Sequence, residues 1–386
     1  MTEVTQVPLL DLTRSQPEML DELRAAFERI LTSGRYIMGP EVTNLEQEIA
    51  AFLGVKHAIG VSSGTDALIC ALMALGIGQG DEVICPTYTF FATGGSIWRV
   101  GAKPVFVDSD PQTYNVTADT IAAAITDRTR AIMPVHLYGQ CCDMGPILEL
   151  AEARGIPIIE DAAQAISCKW QDLPAGGMGA FGCFSFFPSK NLGCMGDGGL
   201  VTTNNDQLAE QARIMRAHGG EPKYYHSYVG GNFRIDPLQA AVVRIKLPHL
   251  NAASEARRQN AQRYRELLTA AGVVSDDPVN VPASKIGLPV QVEESHIYNQ
   301  FVVRVGGGRR DEVRSAMQEK QVGTEVYYPV PLHLQKCFAS LGHKAGDMPH
   351  AERAANETLA LPIFPELTDA EITYVAETLA RQCSAD

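Results

Sequence analysis

A chain of 386 residues, 45% hydrophobic and 20% charged, is long enough for two packed units and has the composition of an ordinary globular protein. Its formal charge of −13 excludes a surface built for nucleic-acid backbones, so any anionic ligand must be met by a few local Arg and Lys residues. No apolar run reaches membrane length, Met1–Thr5 carries no export signal, and nine cysteines without a Cys-x-x-Cys pair read as reduced thiols of a cytoplasmic protein with no metal site.

Two helices, Pro17–Leu31 and Glu41–Phe52, are expected first. From about Ala58 to Asn204, β-rich runs then alternate with helical stretches. Strands are predicted at Ala58–Ser62, Glu82–Pro86, Pro104–Asp108, Ala131–His136, Pro157–Asp161, Cys183–Phe187 and Leu200–Thr203. Helices are predicted at Thr65–Leu75, Ala92–Val100, Ala118–Ile125 and Met144–Arg154. This alternation implies an α/β fold with a mostly parallel seven-stranded sheet, whose ligands sit at the carboxyl ends of the strands. Helices Gln207–Arg216 and Pro237–Lys246 follow, the latter with Asp236 as N-cap and Pro237 in the first position. A long helix, Asn251–Ala271, should lead into a smaller α+β region with a strand near Tyr298–Val305 and helices at Arg309–Lys320 and Ala370–Ala380. The boundary is placed near residue 250, giving a large domain 1–250 and a small domain 251–386.

Four segments carry residue types that chemistry needs. Phe184–Gly199 runs from a strand into a Gly-rich turn with Lys190 at its mouth. A lysine in a partly desolvated pocket loses preference for its charged form, and the free amine can attack an aldehyde. Twenty-nine positions upstream, Pro157–Gln164 ends a buried strand in Asp161, which can act as a helix N-cap or hold the proton of a pyridine nitrogen. Gln164 could reach a hydroxyl on the same ring. Val61–Leu68 is a strand, small residues, then a helix, which makes an anion site as readily as an ordinary N-cap. Ser185 could turn its hydroxyl to the same anion. In Pro86–Phe90 an aromatic follows a strand end, and Tyr88 or Phe90 can stack on a ring or pack in the core. Taken in chain order these are a phosphate cradle, a ring stack, a pyridine partner and an imine-forming lysine, the set required by pyridoxal phosphate (PLP).

On these residues the chain resembles the DegT-type nucleotide-sugar aminotransferases, from Ser33–Pro40 through to Leu361–Pro365. The resemblance implies the aspartate-aminotransferase-like fold, PLP fold type I, and a homodimer with active sites at the interface. It implies that Lys190 holds the cofactor covalently and is catalytic, that Asp161 pairs with the ring nitrogen, and that Gln164 lies near the ring hydroxyl. Phosphate contacts then fall on Ser63, Gly64, Thr65 and Ser185, with Asn232 of Gly231–Asp236 lent by the other subunit, and the stacking aromatic falls on Phe90. Arg234 is the candidate for binding carboxylate or sugar. Many relatives read His-Tyr-Pro where this chain has Tyr327-Tyr328-Pro329, so Tyr327 and Tyr328 are candidates for shaping the substrate pocket.

Lysine at position 190 favours transamination over the dehydratase branch, which carries histidine there. Gly196-Asp197-Gly198-Gly199 resembles the members acting at sugar C3, whereas C4 enzymes tend to read Glu-Gly-Gly. Within the family, the segments Ser185–Gly199 and Leu137–Cys141 look most like enzymes that aminate a UDP-linked 3-keto-N-acetylglucosaminuronate, with L-glutamate as amino donor. The same resemblance points to polysaccharide biosynthesis, including lipopolysaccharide O-antigen. Two other classes stay in view: a non-catalytic PLP-binding regulator, and a dinucleotide-dependent oxidoreductase suggested by Gly177-Met178-Gly179-Ala180-Phe181-Gly182. The second lacks context, because those glycines precede a strand instead of opening a helix.

Overall fold

The computed structural model describes residues 4–15, 17–293 and 295–383. Helices α1 (Leu20–Ser33) and α2 (Pro40–Leu53) precede β1 (His57–Val61), α3 (Gly64–Ala74), β2 (Glu82–Pro86), α4 (Phe91–Arg99) and β3 (Lys103–Val107). Then come α5 (Ala118–Ala122), β4 (Thr129–Ile132), α6 (Met144–Arg154) and β5 (Ile159–Asp161). A two-residue hairpin, β6 (Lys169–Trp170) and β7 (Leu173–Pro174), leads to β8 (Phe181–Ser185) and β9 (Gly199–Thr203). Helices α7 (Asp206–Arg216), α8 (Pro237–Lys246) and α9 (Leu250–Ala270) follow. The chain finishes with β10 (Ile286–Gly287), β11 (Phe301–Val305), α10 (Arg310–Glu319), α11 (Pro349–Glu357), β12 (Thr358–Leu361) and α12 (Asp369–Cys383).

The central sheet has the order β3-β2-β4-β5-β8-β9-β1, the β4–β5 junction being carried by the parallel bridges Ile132–Ile158 and Val135–Asp161. Only β9 runs against its neighbours; the other six strands are parallel. The strands are buried because helices cover both faces, which is why they read as apolar runs and not as alternating ones. The predicted strand Ala131–His136 is shorter than expected. Regular pairing stops at Ile132, and Pro134, which has no N–H to give to a ladder, interrupts it. Asp236 stands at the N-cap of α8 as expected, but its side chain makes no capping bond.

A second core gathers α9, α10 and α12 on the antiparallel sheet β10-β11-β12, around Tyr264, Phe301, Val303, Leu359, Val375 and Leu379. Val7, assigned by sequence position to the large unit, is fully buried in this core and bridges to Val322. Strand β12 was not foreseen. It leaves α11 directly at Thr358 with no turn residue to announce it, and its four residues are all buried. No helix among the described residues is long and apolar enough to cross a membrane.

The topology places the carboxyl ends of β1, β2, β5 and β8 on one side of the sheet. All four chemistry-bearing segments lie at those ends.

Candidate active site

Strand β1 runs into Ser62-Ser63-Gly64 and then α3. Ser63 is the N-cap, with extended backbone (φ −164°), and its hydroxyl accepts the Asp66 N–H at 3.0 Å. The first-turn N–H groups of Gly64 and Thr65, at the positive end of the helix, are left to face outward. Glycine at 64 is dictated by its neighbour: a Cβ there would stand 2.7 Å from the Cβ of Ser185. The end of β8 therefore faces the turn after β1, and Ser63, Gly64, Thr65 and Ser185 form one cradle from two strands.

Asp161 closes β5 at 5% exposure. Its Oδ2 accepts the Thr93 hydroxyl at 2.8 Å and its Oδ1 the Ala163 N–H at 3.3 Å. Burial raises its pKa, while Thr93, Ala163 and the charge of Lys190 act the other way. Lys190, five residues beyond the end of β8, is partly buried. Burial pushes its amine down to about 8, and the Asp161 carboxylate limits the fall. Loss of water thus moves both groups toward their neutral forms, and the charge of each restrains the other.

Tyr88 is fully buried and Phe90, just before α4, is 60% exposed, so of the two aromatics it is Phe90 that has a free face. Gln164 is pinned at both ends: its Oε1 accepts the Tyr138 N–H at 2.7 Å and its Nε2 donates to the Tyr328 hydroxyl at 2.8 Å. A backbone N–H can only donate, so the amide has one orientation and keeps a single N–H uncommitted. Tyr328 is buried, with its ring in edge contact with Tyr88 (5.3 Å) and stacked with Tyr138 (6.0 Å). Tyr327 is the more open member of the pair, at 39% exposure. The stretch Asn232–Arg234 passes beside the cradle of its own chain: Arg234 bridges Val61, and the Phe233 carbonyl accepts the Ser62 N–H at 2.9 Å. The Asn232 side chain is exposed, whereas Arg234 Nε is buried without a hydrogen bond.

Residues 17–380 match the DegT/DnrJ/EryC1/StrS aminotransferase family. The chain belongs to that family. It is 46% identical to the "pleiotropic regulatory protein" of Geobacillus stearothermophilus, over 97% of this chain and 98% of that one. It is 42% identical to the UDP-N-acetyl-3-dehydro-alpha-D-glucosamine 3-aminotransferase of Acidithiobacillus ferrooxidans, over 99% of both. It is 40% identical to the UDP-2-acetamido-2-deoxy-3-oxo-D-glucuronate aminotransferase of Pseudomonas aeruginosa, over 97% and 99%. The fold superposes on S. venezuelae DesV, solved in complex with a ketimine intermediate, with a TM-score of 0.93 at 40% identity, covering 99% of this chain and 100% of that one.

This DegT-family aminotransferase uses pyridoxal phosphate, and its residues fit that group. The cradle offers backbone donors where a Cβ is excluded. Asp161 is a buried carboxylate with no cation in ion-pair contact among the described residues, which suits it to a protonated ring nitrogen. Three parts of the site were not read from sequence. Thr93 fixes Asp161 from α4, and its hydroxyl lies 3.1 Å from that of Thr89, just before the helix. Tyr138 holds Gln164 through its backbone in a left-handed conformation (φ 59°), which no side-chain motif reveals. The third is Glu160, fully buried next to Asp161, which accepts from His136 Nε2 (3.0 Å) and from the N–H groups of Gly176, Met178 and Gly179. Met178 and Gly179 of that run, with Gly176 just before it, thus serve the chain's own carboxylate, and the dinucleotide reading falls.

The pinned amide gives a direct expectation. Tyr328→Phe should lower kcat about tenfold, because losing one hydrogen-bond acceptor in a buried site is worth roughly 1–3 kcal/mol and frees Gln164 to turn. In a double-mutant cycle with Gln164→Ala the two losses should overlap. Fully additive losses would show that Tyr328 acts elsewhere.

Proposed function

We propose that the chain transfers an amino group from L-glutamate to carbon 3 of a nucleotide-linked 3-keto-sugar, working in the cytoplasm as a homodimer. The observation that carries the reaction type is Lys190 beside Asp161, a depressed amine and a buried acid at the ends of neighbouring strands. Bound PLP supplies an aldehyde that takes up an amine and a protonated ring that draws electrons from the bond being broken.

The chain's own residues do the rest. Ser63, Gly64, Thr65 and Ser185 hold the phosphate. Asp161, kept in place by Thr93, stabilises the proton on the ring nitrogen, and the uncommitted N–H of Gln164 serves the ring hydroxyl. Phe90 covers one ring face. Lys190 would hold the aldehyde and, as a free amine, would carry a proton at its Nζ, a role its pKa of about 8 suits near neutral pH. Tyr327 supplies part of the substrate wall.

Position C3 is supported by Gly196-Asp197-Gly198-Gly199 and by the names of two relatives that act on 3-oxo sugars. The dimer is supported by exposed apolar side chains (Tyr36, Ile37, Tyr224, Tyr225 and Val229), together with the exposed Asn232, which we assign to the phosphate of the partner subunit. Arg234 is assigned to a substrate anion. Nine unpaired thiols fit a reducing compartment.

The test is glutamate-dependent amination across UDP- and dTDP-linked 3- and 4-keto sugars. We expect kcat/KM for a UDP-linked 3-keto sugar to exceed that for the 4-keto isomers at least about a hundredfold, as misplaced reacting atoms cost on that order. A preference for 4-keto sugars would overturn the position. Absence of any glutamate-driven spectral change in the loaded protein would favour a sensor, the role suggested by the regulatory name of one relative.

A further inference from the structure

Arg257 lies on the inner face of α9 at 5% exposure. Its Nη1 donates to the carbonyl oxygens of Ile363 (2.7 Å) and Tyr298 (3.3 Å), and no carboxylate among the described residues stands within ion-pair distance. The other deeply buried arginines are different: Arg216 pairs with Glu46 at 2.5 Å, Arg304 with Glu357 at 2.7 Å and Arg310 with Asp311 at 2.5 Å. Burial drags the Arg257 guanidinium down to about 10, with only the more distant charges of Glu366 and Tyr327 opposing. A buried cation left without a counter-ion is costly, and an arriving anion that pairs with it is correspondingly favoured.

Arg257 also shares a cavity with Lys190. It lines a cavity of about 330 Å³ together with Lys190, Asn191, Leu10, Met19 and Lys246. Next to this is a pocket of about 20 Å³, room for a single water, where Arg257 meets Ser189, Gln300 and Tyr327. Of the other charges on the larger cavity, Asp11 is spent on Thr13 and Arg14, and Lys246 donates to the Gly193 carbonyl at 2.7 Å. The guanidinium is therefore a deeply buried cation on that space with only carbonyl partners, Glu366 on the same wall standing beyond ion-pair distance, and its fork suits two oxygens on one carbon.

We propose that Arg257 anchors a substrate carboxylate in the Lys190 cavity, either that of the amino donor or that of a uronate sugar. The proposal rests on the transamination reading and adds to it a second anion-binding group, distinct from Arg234. The holoenzyme, Arg257→Met and Arg257→Lys are each given glutamate alone, then, in the aminated form, a uronate and a non-uronate 3-keto sugar. Separately, glutarate, a dicarboxylate that cannot react, is titrated against the cofactor absorbance. With a donor anchor, Arg257→Met raises the KM for glutamate about 30-fold or more and weakens glutarate equally, while kcat stays within about threefold. With a uronate anchor, the same rise is confined to the uronate sugar. Arg257→Lys should recover part of either loss.

The idea is overturned if Arg257→Met, with normal cofactor loading and melting temperature, keeps every KM within twofold. It is equally overturned if that variant loses cofactor and all substrates in proportion, since Arg257 would then only tie α9 to the carbonyls of Tyr298 and Ile363. Wild-type protein that ignores glutamate would defeat the transamination reading, and the glutarate titration would still decide the fate of Arg257.

Discussion

Lys190→Ala is expected to lower turnover at least about 10⁴-fold, because it removes both the covalent attachment and the group that shuttles the proton, and acid–base catalysis alone supplies up to about that factor. The yellow absorbance of the loaded protein should vanish, while the phosphate cradle still binds the cofactor non-covalently. Covalent capture by the wild-type apoprotein should depend on pH in a fixed direction. The reactive form is the free amine, so the rate should climb as pH rises through about 8 and level off above it. The same shift bears on stability. With the folded-state pKa lowered from 10.5 to about 8, the unfolded chain binds more protons between those values, so the apoprotein should gain stability across that window as pH rises. Full turnover by Lys190→Ala would remove the proposed chemistry altogether.

The second large effect belongs to Asp161→Asn. The amide keeps the shape and one hydrogen bond but cannot hold a proton on a ring nitrogen, and removing one preorganised electrostatic partner costs about 10²–10³ in kcat. Substrate KM should change little, since Asp161 is buried at a strand end against Thr93. Burial already raises the Asp161 pKa, so its carboxylate stands well only while a positive neighbour shares the pocket. Acidifying the loaded enzyme into the range where this acid titrates should weaken cofactor retention before it unfolds the protein. Equilibrium dialysis against pH checks this. Wild-type retention that does not change with pH, or an equal fall on acidification in Asp161→Asn, would sink it.

The sheet was legible because its strands are short apolar runs separated by helices, each with a polar residue at its carboxyl end. Asp161 and Lys190 stood out as candidates at strand ends only in company with the other segments. The residue types alone left Tyr88 and Phe90 open and the resemblance pointed to Phe90; the packing of Tyr88 against Tyr114 and Tyr328 leaves Phe90 as the ring with a free face. Thr93 and Tyr138 were missed for a different reason. Each acts on a residue far away in the chain, at separations of 68 and 26 positions, through a hydroxyl or a backbone N–H that common residues provide. Nothing in the sequence distinguishes Arg257 from Arg258, Arg263 and Arg265 on the same helix; its burial does. Val7 was assigned to the wrong core by position, since a bridge to Val322 has no local pattern.

The arrangement around Glu160 carries a lesson for recognising enzyme classes. Gly179 could not bear a side chain because the Ile158 carbonyl lies 2.7 Å from where a Cβ would sit, and its N–H reaches a carboxylate 2.6 Å away. A run of glycines records only that main-chain donors converge on negative charge. Where that charge arrives on a diffusible nucleotide, the run marks an oxidoreductase; where a strand residue brings it, as here, the same spelling is masonry. Searches that weight such spacings should ask first whether an acidic residue of the chain can fill the hollow.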